Sequence, residues 1–266
     1  MAMDVSKLIY DVVTCNHRDL SKRFSLLGRK LKRIFYLISH SVLDEASVRN
    51  IPVIINNRNR YRYLLQLIDW LESNGMSNIV ILDNDSTYPP LLEYYKTTAH
   101  RVIRTGRNGG PFAVWTAVEL EHIIRDYYIY TDADVVPDEM SSFNSIKLMY
   151  DRLRTDITID KIGFALRIDN LPDHFKLKQD VIEWESQFWR EKLDDNFFRA
   201  KVDTTFALYA PYAKGGGECK ALRTNFPHVA LHKPWYENSA NPQAEDEYYC
   251  LHSEPANSHW TKLTVR

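Results

Sequence analysis

Tyr128-Ile129-Tyr130-Thr131-Asp132-Ala133-Asp134 is the stretch on which the reading of this chain turns. Four residues of β-favouring type end on two carboxylates separated by one alanine. Aromatic and β-branched side chains suit a pleated, buried surface, so the run predicts a strand. The aspartates then stand at its carboxyl end, where both can turn toward one ion. Hard oxygen donors of this kind select Mn2+ or Mg2+. Taken alone, Asp-x-Asp also describes two solvated loop carboxylates, so its weight depends on what surrounds it.

Working outward, the same strand-to-polar transition recurs upstream. Pro52-Val53-Ile54-Ile55 predicts a buried strand ending at Asn56-Asn57-Arg58. Tyr61, Leu64, Leu65, Ile68 and Leu71 share one helical face, and Asn74-Gly75 stops that helix. Ile79-Val80-Ile81-Leu82 predicts a second strand, ending at Asp83-Asn84-Asp85-Ser86. Pro89-Pro90 opens a short helix, and Arg101-Val102-Ile103-Arg104 predicts a third strand. A glycine loop containing Arg107-Asn108-Gly109-Gly110-Pro111 follows, then a predicted helix over 112–125. Strands alternating with helices imply βαβ units and a mostly parallel sheet. Ligands of such sheets bind beyond the carboxyl ends of the strands, and all four polar clusters fall on that edge.

Downstream the pattern is less regular. Residues 161–166 predict a strand, 178–193 an aromatic-rich helix carrying Trp184, and 202–209 a strand with Asp203 near its start. Lys214-Gly215-Gly216-Gly217 reads as a flexible loop. The tail from Pro227, rich in His, Trp and Tyr, reads as a loop lining a site.

Composition narrows the class. A net charge of −1 gives no electrostatic bias toward nucleic acid, so no nucleic-acid partner is expected. The 16 Tyr and 6 Trp suit sugar rings and bases as well as core packing. Cys15, Cys219 and Cys250 are odd in number and far apart, which argues against a disulfide framework or a zinc cluster and for a reducing, cytoplasmic compartment. No apolar run reaches membrane-spanning length, and no apolar signal core is evident. Arg18, Lys22, Arg23, Arg29, Lys30, Lys32 and Arg33 flank an apolar stripe of Leu20, Phe24, Leu27, Leu31, Phe35 and Ile38 at helical spacing, with Gly28 expected to interrupt the helix. Two readings fit that segment: a helix docked on the core with a solvated basic face, or an interfacial helix drawn to anionic lipid at the inner membrane face.

The ordered stretches 51–60, 81–87, 107–111 and 130–134 resemble the GT-A glycosyltransferases, in particular family-2-like bacterial enzymes of polysaccharide and lipopolysaccharide assembly. Val202-Asp203-Thr204-Thr205-Phe206-Ala207-Leu208-Tyr209 and His232-Lys233-Pro234-Trp235-Tyr236 extend the resemblance. It implies a GT-A, Rossmann-like α/β catalytic domain over 49–266, with a nucleotide half (49–140), an acceptor half (141–266) and a helical extension (1–48). It also implies a nucleotide-diphosphate sugar donor and a glycan or lipid-linked acceptor. On this reading Asn57, Arg58, Asp83 and Asn84 hold base and ribose. Arg104, Arg107, Asn108, Gly109 and Lys233 approach phosphate, although the arginines equally read as plain loop residues. Asp132, Asp134 and His232 bind the metal, with His228 a rival. An inverting reaction needs a base; Asp203 is the first candidate, with Glu183 and Glu185 as alternatives. The Glu-Asp acceptor motif of the family is not clearly present, since Glu245-Asp246 falls after the His-Lys-Pro-Trp segment. A nucleotidyltransferase would need a glycine- and lysine-rich loop where Asn56-Asn57-Arg58-Asn59-Arg60 stands. A non-catalytic carbohydrate-binding protein would have no need of an intact Asp-x-Asp.

Overall fold

The computed structural model describes residues 17–203, 205–215 and 219–253, which fall into two compact units, one ending at Ser41 and one starting at Val42. Of the expectations above, Thr204, Gly216, Gly217, the first sixteen residues and the tail beyond Ser253 lie outside the described residues.

In the first unit, helix α1 (His17–Ser39) runs without a break. Gly28 was expected to interrupt it. A single helical glycine costs only about 1 kcal/mol relative to alanine, which does not break a helix of this length. Leu31, Phe35 and Ile38 are exposed at 57%, 76% and 79%. Among the described residues no helix is long and apolar enough to cross a membrane.

The second unit is a mixed α/β structure. Its strands are β1 (Val53–Asn57), β2 (Ile79–Asp83), β3 (Arg101–Arg104), β4 (Tyr128–Asp132), β5 (Val135–Pro137), β6 (Lys161–Gly163), β7 (Ala165–Leu166), β8 (Phe197–Arg199), β9 (Ala207–Tyr209), β10 (Ala221–Thr224) and β11 (Val229–His232). Its helices are α2 (Glu45–Arg49), α3 (Arg62–Ser73), α4 (Pro89–Thr97), α5 (Phe143–Thr155), α6 (Lys178–Ser186) and α7 (Ala244–His252). Eight strands form one sheet in the order β3-β2-β1-β4-β9-β6-β10-β8. The first four run parallel, as the βαβ reading requires. β9 is antiparallel to both β4 and β6, and so joins the two halves of the sheet. A second sheet, β5-β11-β7, forms beside it.

β2 is buried at every position, consistent with helices or loops covering both faces. Tyr63, Leu64, Leu67, Ile68 and Leu71 form the buried face of α3, and Gly75 in the left-handed region (φ 71°) ends that helix.

Five further expectations of the sequence need correction. Residues 112–125 are three 3-10 turns rather than one helix. Gly110 (φ 64°) and Pro111 set the entry, and Trp115 is held by donating from Nε1 to the Tyr128 hydroxyl at 3.0 Å, so local anchoring outcompetes helical propagation. Residues 161–166 are two strands in different sheets. A Cβ on Gly163 would stand 2.6 Å from Val202 Cγ1, so the chain turns where only glycine fits. The α-helix expected over 178–193 ends at Ser186 and finishes in a 3-10 turn. The strand expected over 202–209 begins only at Ala207, which leaves Asp203 in the loop ahead of it. The tail from Pro227, expected as a loop, folds into β11 and α7.

Candidate functional site

The strand register lines up the expected residues. Asn57 pairs with Asp83, Asp83 with Arg104, and Asn56 with Asp132, so four carboxyl-terminal ends share one edge. Along that edge the polar residues separate into two groups.

The first group centres on Asp83, which is 1% exposed. The Tyr95 hydroxyl donates to its Oδ1 (3.2 Å), the Ser86 N–H to its Oδ2 (3.3 Å), and Arg104 Nε stands 3.5 Å away. Asn57 Nδ2 donates to the same Tyr95 hydroxyl at 2.9 Å. Burial raises the Tyr95 pKa, which keeps the phenol protonated and donating. Asn84 spans to the glycine loop, accepting from Gly109 N (2.6 Å) and donating to the Gly110 carbonyl (3.0 Å). Asn108 accepts from Gly110 N at 3.0 Å, so its side chain shapes the loop. Arg58 is half-buried, and its Nε has no hydrogen-bond partner. Arg104, Arg107 and Gly109 line a hollow of about 160 Å³ beside β3. At about 4.8 Å per strand, β3 lies roughly 14 Å from β4. Arg104 therefore stands with Asp83 and not with Asp132 and Asp134, and Arg107 shares its hollow.

Asn59 clamps the loops that follow β1 and β2. Its backbone is in the left-handed region (φ 56°), which asparagine tolerates better than most residues. Its side-chain oxygen accepts from Thr87 N (2.7 Å) and Tyr88 N (2.9 Å), while its own N–H donates to Ser86 Oγ (2.9 Å).

The second group forms at Asp132 and Asp134. Asn56 Nδ2 donates to Asp132 Oδ1 at 3.1 Å. β11 lies antiparallel to β5 with His232 opposite Val135, which brings His232 Nε2 to 3.9 Å from Asp134 Oδ1. Lys233 N donates to the Asp134 carbonyl at 2.9 Å. Burial lowers the His232 pKa, and nearby Arg60 acts in the same direction against the opposing Asp134. The imidazole is therefore neutral at pH 7, with a nitrogen lone pair for a metal. Burial likewise lowers the pKa of Lys233.

Among the described residues, no three His, Cys, Asp or Glu side chains converge closely enough to hold an ion as they stand. The donor types nevertheless suit Mn2+ better than Mg2+, which favours oxygen donors: a carboxylate and the Nε2 of a neutral imidazole face each other. His228, the rival, is placed elsewhere. Its Nδ1 lies 2.8 Å from Ser145 Oγ in the capping box of α5.

Three residues of this region were not singled out from the sequence. Arg60 is 3% exposed; its NH1 donates to Asp246 Oδ1 at 2.8 Å, and its Nε stands 3.7 Å from Asp134 Oδ2. Its guanidinium lies 3.6 Å over the Tyr249 ring. Arg62 NH2 meets Asp246 Oδ2 at 2.9 Å, and Arg62 N donates to Glu245 Oε2 at 2.8 Å. The Glu245-Asp246 pair, set aside for its late position in the chain, is thus seated on the loop after β1. Tyr95 carries no signal beyond its place on a short helix.

Beside Asp132 and His232 opens a cleft of about 360 Å³, lined also by Trp184, Asp203, Thr205 and Trp235. Glu185 is buried at its wall and accepts from Arg223 NH1 at 2.6 Å. Burial raises the Glu185 pKa against the pull of Arg223. Glu183 is exposed and does not line the cleft.

No protein-family model matches the chain, and no curated protein does. Solved structures show partial likeness. Glucosyl-3-phosphoglycerate synthase from Mycobacterium tuberculosis, determined with phosphoglyceric acid, is 12% identical with a TM-score of 0.39, over 65% of this chain and 62% of that one. GalNAc-T7, determined with UDP, GalNAc and Mn2+, is 14% identical with a TM-score of 0.39, over 76% of this chain and 47% of that one. A mycobacterial protein is 11% identical with a TM-score of 0.40, over 72% of each chain. The match thus spans less than two-thirds of the first two proteins. At this level the likenesses carry nothing about activity or substrate.

Proposed function

We propose that this chain is a glycosyltransferase that moves a sugar from a nucleotide-diphosphate sugar to a glycan or lipid-linked acceptor, with inversion at the anomeric carbon. The observation that supports it best is the meeting of Asp134 with His232 at a strand edge that also carries buried Asp83, with a cleft opening beside them. The Asp83 end of the edge takes base and ribose, where a carboxylate accepts from an imide N–H or a ribose hydroxyl. Asp132, Asp134 and His232 are the residues that would hold Mn2+ or Mg2+. Such an ion, when bound, neutralises charge on the departing diphosphate.

The acceptor hydroxyl enters by the cleft. Asp203, exposed on its wall, takes the hydroxyl proton as the new bond to the anomeric carbon forms and the bond to the diphosphate oxygen breaks. Of the three candidates for this base, Glu185 is already engaged by Arg223 and Glu183 lies off the cleft. Trp184, more than half exposed, offers an apolar face to a sugar ring. Lys233, beside Asp134, meets the leaving diphosphate. The chain divides in this reading into an N-terminal extension over 1–48, which contacts anionic membrane, and a catalytic domain over 49–266.

The test is hydrolysis of a panel of nucleotide sugars with and without Mn2+. Metal-dependent release of nucleoside diphosphate from one donor is expected. No release from any donor, together with no thermal shift on nucleotide addition, favours the non-catalytic reading. Formation of a nucleotide sugar from a sugar phosphate and a nucleoside triphosphate favours the nucleotidyltransferase.

A further inference from the structure

Arg60 is a buried cation placed where a divalent ion would come. Its Nε lies 3.7 Å from Asp134 Oδ2 and has no hydrogen-bond partner, while its other end is held by Asp246 at 2.8 Å. The Tyr249 ring underneath restricts its movement. Asp246 is itself shared, since Arg62 NH2 bonds its second oxygen at 2.9 Å and the Tyr63 hydroxyl reaches the first at 3.3 Å. One line of charge therefore runs Asp246–Arg60–Asp134, from helix α7 to the second aspartate of Asp-x-Asp.

We infer that Arg60 is a positioning residue that competes with the divalent ion for Asp134, and that Asp246 sets the strength of that competition by drawing Arg60 toward α7. The inference rests on the metal-binding reading of Asp134 above. A guanidinium at this distance stabilises the Asp134 carboxylate in the absence of metal and repels an incoming dication, with little water between them to screen either effect. Weakening Arg60 should therefore strengthen metal binding. Weakening the hold of Asp246 on Arg60 should do the opposite, because Asp134 is then left as the main carboxylate partner of Arg60. A purely structural part for either residue moves both variants in the same direction, toward weaker binding.

The test is Mn2+ titration of the full chain, followed by electron paramagnetic resonance, with no nucleotide and with UDP. Arg60→Gln is expected to bind Mn2+ about tenfold more tightly than wild type, and Asp246→Asn about tenfold more weakly. Arg60→Lys, which keeps the charge, is expected to stay within about threefold of wild type. Arg60→Gln leaves Asp246 bonded by Arg62 and Tyr63, which favours its folding, and thermal unfolding is measured for each variant. If Arg60→Gln does not fold, Arg60→Lys and Asp246→Asn carry the comparison. Shifts of the same sign in Arg60→Gln and Asp246→Asn overturn the proposal, as does an unchanged affinity in Asp246→Asn. Binding in Arg60→Gln but not in wild type supports it. Absence of binding in all of them overturns it together with the metal assignment, whereas wild-type binding that is lost in Asp134→Ala upholds the assignment whichever way the Arg60 variants move.

Discussion

His232 Nε2 faces Asp134 Oδ1 at 3.9 Å, although nearly a hundred residues of chain separate the two. The pairing of β11 with β5 makes the encounter, because Val135, next to Asp134, lies opposite His232 in the register. A carboxylate and a neutral imidazole are thereby held face to face at one strand edge.

If Asp134 holds the ion as proposed, Asp134→Ala is expected to lower donor hydrolysis about a hundredfold or more while the fold persists, because its carboxylate would then serve charge neutralisation rather than packing. Arg60 keeps its bond to Asp246 in this variant. Turnover with Mn2+ and a thermal melt check it together. Full activity in a folded variant would remove Asp134 from the site.

Asp83→Ala is expected to weaken UDP binding more than tenfold and to change turnover at saturation less, since base and ribose lie away from the reacting carbon. The Tyr95 hydroxyl and the Ser86 N–H also lose their acceptor, at a cost of about 1–3 kcal/mol of stability. Calorimetry showing unchanged nucleotide affinity counts against the assignment.

Burial lowers the His228 pKa below its ordinary 6.5. The unfolded chain then takes up its proton at a higher pH than the folded one. The contribution to stability is complete above pH 6.5 and is lost as the pH falls through the lower, folded value. Thermal melts from pH 7.5 to 5 are expected to show a falling midpoint, and His228→Gln a shallower fall. An equal slope in the variant assigns the loss to other groups.

Asn59→Ala removes the acceptor for Thr87 N and Tyr88 N and places an alanine in the left-handed region, so a loss of about 2 kcal/mol or more is expected. Asn59→Gly relieves the backbone strain but not the lost bonds, and should fall between alanine and wild type. Urea unfolding measures the order; glycine as damaging as alanine removes the strain from the account.

Full-length protein is expected to sediment with anionic liposomes in low salt and to be released in high salt. Each Lys or Arg near such a surface contributes about 1 kcal/mol. Leu31, Phe35 and Ile38 of α1 are exposed and available to the lipid boundary. Removing residues 1–41 should abolish the binding and leave donor hydrolysis intact. Failure of full-length protein to bind at low salt ends the membrane reading, and unfolding of the truncated protein assigns the helix to the core instead.

The parallel half of the sheet was legible in the residues alone. Ile54, Ile81 and Ile129 lie in short apolar runs, and each run ends in a polar cluster, so local pattern fixes both the strand and the place where its polar end emerges. That pattern is a property of neighbours in sequence. It failed at 112–125, where a helix was expected but the tie from Trp115 to Tyr128 and the Gly110-Pro111 entry imposed tight turns. It also failed at 161–166, where nothing in the run itself says that Val202 crowds Gly163. The candidate site divides in the same way. Asp83, Asp132 and Asp134 were readable because a strand end places them. The seating of Asp246 on Arg60, the engagement of Glu185 by Arg223 and the placing of His232, rather than His228, beside Asp134 were decided by tertiary structure. Each depends on strand pairing or on burial of charge between segments far apart in the chain. A buried charge takes the partner that packing brings within reach, and sequence order does not record which partner that is.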